Sequence, residues 1–252
     1  MAPLVPAGLR LASSCCEVVF RPAKILSFLS GCVPALNIST LTAEALSAQA
    51  IFCQMGTIGV DATRLLQQFL QQKRPDVVFL DAPVSGTKAP AENAMITVFA
   101  SGERSRATAA ESVFAAISKG SLWLGEAGAG SRMKLVVNSW LIGLMQSLAE
   151  SELLAESLGF SPEDLWQALE GGPLAAPYAK GKLQMISRDD FTPQMQLVWA
   201  LKDARLATEA GDVQQLPALK NITELWQQAV DDGFGEQDLA VISKFLANRS
   251  KQ

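Results

Sequence analysis

Residues 130–145 read GSRMKLVVNSWLIGLM, and this stretch decides how the rest of the chain is interpreted. Nearly every side chain from Met133 to Met145 is apolar, which is typical of a buried helix. Lys134 and Asn138 interrupt the apolar run four residues apart, so on a helix they share one face. This polar stripe is too narrow for a solvated face, and we expect both side chains to be partly buried.

The chemistry of this pair indicates proton transfer. Burial lowers the pKa of a lysine ammonium toward neutrality, which makes Lys134 a usable proton donor. Asn138 can orient a substrate hydroxyl or carbonyl without titrating. The alternative is a lysine whose stem covers apolar surface while its ammonium reaches water. The narrow stripe favours the proton donor.

The composition limits the classes of partner. The chain has 252 residues, 49% hydrophobic and 18% charged, which predicts a globular protein with one large core or two modest ones. A net charge of -4 argues against nucleic acid or an anionic membrane as the main partner and favours a small molecule. No apolar run approaches the roughly 20 residues of a membrane span. The first residues lack the basic and apolar regions of a secretory signal, which predicts a cytoplasmic protein.

The chain contains no histidine, which excludes catalysis that depends on histidine and nearly all transition-metal sites. Its four cysteines lack metal-ligand spacing, so they predict free thiols. We therefore expect no metal.

The secondary-structure pattern of the sequence changes near Gly125. Before it, a helical pattern over 61–72, a strand from Val77 and a strand over 96–100 predict an α/β domain at residues 1–125. Residues 126–252 predict an all-α domain. Residues 1–50 are atypical: their weak periodicity predicts no ordered element. The predicted fold class is thus an incomplete Rossmann-type domain and a helical C-terminal domain, joined by a long helix.

Start and stop residues delimit the predicted helices of the second domain. Ser161 and Asp164 form a capping box, and that helix stops at Gly171. The other helices are predicted over 131–158, closed by Gly159, and over 196–210, 217–232 and 237–247.

Two further motifs carry polar groups. DAPVSGT, residues 81–87, ends a strand with a hydroxyl and free amides that suit a carboxylate or phosphate, although a plain turn uses the same residue types. Lys202 and Asp203 are adjacent on a predicted helix, and such a pair is usually a surface ion pair of little consequence.

Three motifs together resemble one family. FLDAPVSGTKAPAE at 79–92, GAGSRMKLVVN at 128–138 and LKDARLA at 201–207 are similar, in this order, to the β-hydroxyacid dehydrogenases, and within them to the glyoxylate and succinic semialdehyde reductase branch. The resemblance covers about residues 54–246. It implies a Rossmann domain joined by one long helix to an all-α domain, a homodimer or homotetramer, and reduction of a small aldehyde-acid to its hydroxyacid with NADP or NAD.

The resemblance also implies roles for single residues. Lys134 matches the lysine that protonates the nascent alkoxide, and Asn138 matches the asparagine that orients the substrate. The turn that holds the substrate carboxylate corresponds to Ser85, Gly86 and Thr87. Cofactor contacts correspond to Thr57 and Lys202, with Asp203 as the structural partner of Lys202.

Some features depart from the family pattern. No G-x-G-x-x-G turn follows a strand, which predicts that part of the nucleotide-binding half is absent or replaced and that residues 1–50 are an aberrant start. Gly56 stands where the family usually has serine, Ala94 where it usually has glycine, and Met195 where an aromatic residue often lies.

Three alternatives differ in testable ways. Decarboxylating phosphogluconate dehydrogenases place a histidine where this chain has Val137, and imine reductases usually replace the lysine that corresponds to Lys134. The third alternative is a catalytically impaired homologue that acts only as a helical dimerisation module, since the apolar face of the long helix would serve that role too.

Overall fold

The computed structural model describes residues 17–20, 25–28 and 46–249. The chain divides into two compact units, Met1–Val137 and Asn138–Gln252. The first unit is a mixed α/β sheet domain and the second is helical, which confirms the predicted fold class. The domain boundary after residue 125 stays a prediction.

The described residues of the first unit form a seven-stranded sheet. The order is β1-β2-β3-β4-β6-β5, and β7 also pairs with β6. Neighbouring strands β2, β3 and β4 are parallel, and β6 is antiparallel to β4. The strands are β1 (Glu17–Phe20), β2 (Ile25–Phe28), β3 (Ile51–Gln54), β4 (Val78–Asp81), β5 (Val84–Ser85), β6 (Ile96–Gly102) and β7 (Ser118–Trp123).

Strands β1 and β2 lie within the region where the sequence predicted no ordered element, so that prediction was wrong for these residues. Each has only four residues, too few for a visible period, and β2 is held by pairing with the distant β3. Apart from residues 46–50, the rest of the atypical region lies outside the described residues.

The core of this unit follows from the alternation of side chains along β3. Ile51 and Cys53 pack in one buried cluster, and Phe52 packs in another with Leu66 and Leu70. The latter two lie on α1 (Val60–Lys73), which confirms the helix predicted over 61–72. The unit also contains α2 (Lys88–Glu92) and α3 (Thr108–Ile117).

The long helix α4 spans Ala129–Ser157, which confirms the prediction over 131–158 to within two residues. Gly159 ends it with a φ of 86°, and the Phe160 amide donates to the Ala155 carbonyl at 2.8 Å. The division between the two units falls within this helix.

The second unit continues with five helices in its described part: α5 (Pro162–Leu169), α6 (Pro177–Ser187), α7 (Leu197–Ala210), α8 (Pro217–Ala229) and α9 (Ile242–Arg249). The predicted capping box at Ser161 is present and confirmed. The predicted helix over 237–247 was wrong at its start, because Asp238 caps a 3-10 turn at Leu239–Val241 before α9 begins. No described helix is long and apolar enough to cross a membrane.

Candidate active site

The carboxyl ends of β3 and β4 lie side by side. These parallel strands end at Gln54 and Asp81, which are paired in register, and the Ala82 amide donates to the Gln54 carbonyl at 2.7 Å. The chain segments that follow, residues 55–59 and 82–87, therefore leave the same edge of the sheet. In open α/β sheets this edge is where ligands bind.

The last part of the segment after β3, residues 57–59, is here called the Thr57 turn. It leads directly into α1, whose N-cap is Gly59 with a φ of 89° and no side-chain cap. A helix start without a side-chain cap keeps its first amides available to an anion. Thr57 is half-buried in this turn. This strand, turn and helix start fit the phosphate of a nucleotide cofactor.

The segment after β4 contains the Ser85 turn, residues 85–87. Ser85 ends β5 and pairs with Thr97 of β6. Gly86 has a φ of +140°, and a Cβ there would lie 2.7 Å from Ile96 Cγ2. Both the backbone conformation and the lack of space therefore require glycine. Thr87 follows as the N-cap of α2. Because Gly86 has no side chain, a group bound beside this turn can approach its backbone closely.

Asp81 lies at the centre of a buried group of polar side chains, here called the Asp81 cluster, with Ser101, Ser131 and Thr63. Its carboxylate accepts hydrogen bonds from Ser131 N at 2.8 Å and Ser131 Oγ at 2.7 Å. Ser101 Oγ lies 3.1 Å from the same carboxylate. Burial raises the pKa of the Asp81 carboxyl, while the bonds from Ser131 and Ser101 oppose the rise.

Lys134 lies on α4 one turn after Ser131 and is half-buried. Asn138, on the next turn, is buried. The structure therefore has both residues on one helix at the expected spacing, with Lys134 partly buried as expected and Asn138 more deeply buried than expected. Among their neighbours, Val136 and Trp140 are exposed, so the helix is not apolar and buried on every side.

Asn138 is held by Asp203. Its Nδ2 donates to Asp203 Oδ2, and because a carboxylate only accepts, this bond fixes which end of the amide faces Asp203. Lys202 Nζ lies 2.6 Å from Asp203 Oδ1. The Asp203 side chain is only 5% exposed. The expectation of a surface ion pair was therefore wrong, because Asp203 is on the buried face of α7.

A second buried ion pair was missed by the sequence analysis. Lys182 Nζ lies 2.6 Å from Asp238 Oδ1, and the two side chains are 5% and 0% exposed. The other carboxylate oxygen accepts from the Gln194 and Met195 amides. The partners are 56 residues apart and belong to no common motif, so no local signal could have paired them.

Within the described part of the chain, no three histidine, cysteine, aspartate or glutamate residues lie close enough to hold a metal ion.

Two protein-family models match nearly the whole chain. The model for the NAD binding domain of 6-phosphogluconate dehydrogenase matches residues 1–125. The model described as NAD-binding of NADP-dependent 3-hydroxyisobutyrate dehydrogenase matches residues 128–246. The first match begins at residue 1, so the similarity extends further toward the N-terminus than the motifs indicated.

Individual relatives agree with the family models. Glyoxylate/succinic semialdehyde reductase 1 of Arabidopsis thaliana is 27% identical over 95% of this chain and 84% of its own. Cytokine-like nuclear factor N-PAC of Homo sapiens is 33% identical over 66% of this chain but only 30% of its own. The crystal structure of 3-hydroxyisobutyrate dehydrogenase from Salmonella typhimurium has a TM-score of 0.77 at 21% identity, covering 88% of this chain and 79% of its own, which shows the shared fold. The chain belongs to the β-hydroxyacid dehydrogenase family of NAD(P)-dependent oxidoreductases.

Proposed function

We propose that this chain reduces a small aldehyde-acid, such as glyoxylate or succinic semialdehyde, to the hydroxyacid, with Lys134 as the general acid. The observation that carries the proposal is the half-buried Lys134 one turn before the buried Asn138 on α4. The named substrates are those of the Arabidopsis relative. In this proposal residues 1–125 are the NAD(P)-binding domain and residues 126–252 the dehydrogenase C-terminal domain.

Each residue has one task in the proposed reaction. A bound nicotinamide cofactor would supply the hydride and the redox capacity. The Ser85 hydroxyl and the amides of Gly86 and Thr87 hold the substrate carboxylate. Lys134 Nζ donates its proton to the carbonyl oxygen as that oxygen becomes an alkoxide, and takes it back in the oxidative direction.

The remaining contacts orient the partners of this step. Asp203 accepts an N–H of Asn138, which turns the amide so that its other polar atoms can orient the substrate hydroxyl or carbonyl. Thr57 and Lys202 are proposed to contact the cofactor. The Thr57 turn supports this assignment, because it joins a parallel strand to a helix start without a side-chain cap.

The test is a cofactor titration followed by a turnover assay on the purified chain. Micromolar binding of NADPH or NADH, with consumption of the cofactor on addition of glyoxylate or succinic semialdehyde, supports the reductase. Absence of binding at millimolar cofactor contradicts it and supports the helical dimerisation module instead. The same titration decides the preference between NADP and NAD.

Assembly and location complete the proposal: a homodimer or homotetramer in the cytoplasm. Trp140 and Leu154 on α4, and Leu158 just after its end, are 72%, 60% and 65% exposed, and such exposed apolar side chains are candidates for a contact between subunits. Trp140→Glu is expected to shift the chain toward the monomer in light scattering, and an unchanged mass would contradict a contact there.

A further inference from the structure

Three segments of the first unit meet at the Asp81 cluster. Asp81 ends β4, Ser131 lies in the first turn of α4, and Thr63 lies in the first turn of α1. Ser131 Oγ is 3.0 Å from Thr63 Oγ1, and Thr63 Oγ1 is 2.7 Å from the Gly59 carbonyl. A continuous chain of buried hydrogen bonds therefore runs from the end of β4 through α4 to the Thr57 turn.

The number of protons fixes the direction of these bonds. An ionised carboxylate only accepts, so Ser131 must give its single hydroxyl proton to Asp81 Oδ1. Ser131 Oγ can then only accept from Thr63, whose single hydroxyl proton is shared between Ser131 Oγ and the Gly59 carbonyl. Without the carboxylate, the Ser131 hydroxyl is free to rotate, and the order of the remaining bonds is lost.

The cluster also satisfies the start of α4. The first amides of a helix have no partner within it. Here Gly130 N donates to Ser101 Oγ at 3.0 Å, and Ser131 N donates to Asp81 Oδ2 at 2.8 Å. Ala129 N and Arg132 N donate to nearby backbone carbonyls. Asp81 thus acts as an N-cap supplied by another element.

Close packing leaves this helix start little freedom. A Cβ at Gly130 would overlap the Phe99 carbonyl oxygen and lie 2.8 Å from the Asp81 carbonyl oxygen. The backbone of α4 is therefore in direct contact with β4 and β6 at this point. A shift of the helix requires breaking the hydrogen bonds of the Asp81 cluster.

All three segments continue into residues of the proposed reaction. Lys134 lies one turn after Ser131, Ser85 follows Asp81 by four residues, and Thr57 precedes Gly59 by two. We propose that Asp81 is a positioning residue: its carboxylate holds the start of α4, and with it Lys134, in fixed register with the Ser85 turn and the Thr57 turn. This inference rests on the proposed function, since it names the group that places its general acid.

The test compares Asp81→Asn and Ser131→Ala with Ser118→Ala. Ser118 is a matched control: it is buried in the same unit, and its hydroxyl donates to the Phe114 carbonyl at 2.6 Å, outside the Asp81 cluster. We expect the two cluster variants to lower kcat by about 10- to 100-fold, the usual cost of a displacement of the catalytic group on the order of 1 Å. In the two cluster variants, KM for the cofactor should stay within about two-fold of the wild type. In Ser118→Ala, kcat should stay within the same range.

A second readout needs neither cofactor nor turnover. Reductive methylation of Lys134, mapped by mass spectrometry against the exposed Lys119 in the same molecule, reports the surroundings of its ammonium. We expect the ratio of the two labelling rates to change at least about three-fold in Asp81→Asn and in Ser131→Ala, and to stay unchanged in Ser118→Ala. Thermal unfolding of all three variants shows whether each is folded at the assay temperature.

The outcomes separate this inference from the proposed function. Wild-type kcat and labelling in folded Ser131→Ala or Asp81→Asn overturn the positioning role. An equal loss in Ser118→Ala overturns it too, because the loss then reports general destabilisation. If the wild-type chain reduces no tested aldehyde-acid, the proposed function fails, and the labelling ratio alone decides whether Asp81 positions Lys134.

Discussion

The two units bury a carboxylate in different ways. In the α/β unit, the hydrogen bonds to Asp81 come from neutral groups, the hydroxyls and an amide of Ser101 and Ser131. In the helical unit, Asp238 accepts backbone amides and also lies 2.6 Å from the ammonium of Lys182. One carboxylate is satisfied by dipoles, and the other by dipoles and a full positive charge.

The difference has energetic consequences. A buried ion pair depends on both charges, since removal of one leaves the other desolvated and unpaired. Neutral donors compensate burial less completely, and the raised pKa of Asp81 reflects this. These neutral donors also leave the Asp81 cluster, which fixes the start of α4, without a cation. We conclude that the Lys182–Asp238 pair serves the stability of the helical unit and the Asp81 cluster serves placement.

The largest effect is expected from Lys182→Met. This change keeps most of the volume but leaves the Asp238 carboxylate without its cation, and we expect it to lower the free energy of unfolding by about 3–5 kcal/mol. Urea titration followed by tryptophan fluorescence measures the loss.

Lys180→Met is the matched control, two residues away on the same helix. Lys180 also forms an ion pair, with Glu170, and lies over the Trp166 ring as Lys182 lies over the Tyr178 ring, but its side chain is 47% exposed. The exposed pair should contribute no more than about 1 kcal/mol. Equal losses in the two variants would mean that burial does not distinguish these pairs.

The pH dependence of stability should differ in sign between the units. Because burial raises the folded pKa of Asp81 above its unfolded value, the unfolded chain loses this proton first as pH rises. The contribution of Asp81 is therefore full below its unfolded pKa of about 3.9 and is lost as pH rises through the folded value. Asp81→Asn should remove this slope from the melting temperature as pH rises above the unfolded pKa of about 3.9.

Asp164, at the N-terminus of α5, should behave in the opposite way. Hydrogen bonds from Ser161 lower its folded pKa, so its contribution is present above the unfolded pKa and is lost as pH falls through the folded value. Asp164→Asn should remove a slope of the opposite sign. If the two substitutions remove slopes of equal sign from the dependence of the melting temperature on pH, the distinction between a buried and an exposed carboxylate is contradicted.

The smallest expected effect is a gain in stability. Ala94 has a φ of 54°, a conformation that costs an L-residue with a Cβ, so Ala94→Gly should raise the free energy of unfolding by about 0.5–1 kcal/mol. Asp189 of the helical unit has a φ of 50°, but aspartate tolerates this region better and here pairs with Lys244. Asp189→Gly should therefore bring no gain. Thermal unfolding tests both, and a loss in Ala94→Gly would exclude strain at that position.

Much of the fold follows from local sequence. The helical periods of α1 and α4, the capping box at Ser161 and the stop at Gly159 depend on neighbouring residues, and all are confirmed. Strands β1, β2, β3, β5 and β7 were not predicted. They are two to six residues long, and pairing with other strands stabilises them rather than a pattern of their own.

The candidate site divides in the same way. Lys134 and Asn138 were recognisable because their spacing is local to one helix. The burial of Asp203 was not recognisable, because the Lys-Asp sequence alone gives no information on which face of α7 is buried. Ser101 and Ser131 lie 20 and 50 residues from Asp81, so only the fold brings the Asp81 cluster together.

The central claim is that Lys134 supplies the proton, and turnover of Lys134→Ala tests it most directly. Lys119→Ala, which removes an exposed lysine of β7, is the control. We expect Lys134→Ala to remain folded by circular dichroism and to lower kcat by about two to four orders of magnitude, while Lys119→Ala retains wild-type turnover. Wild-type turnover in Lys134→Ala would contradict the account.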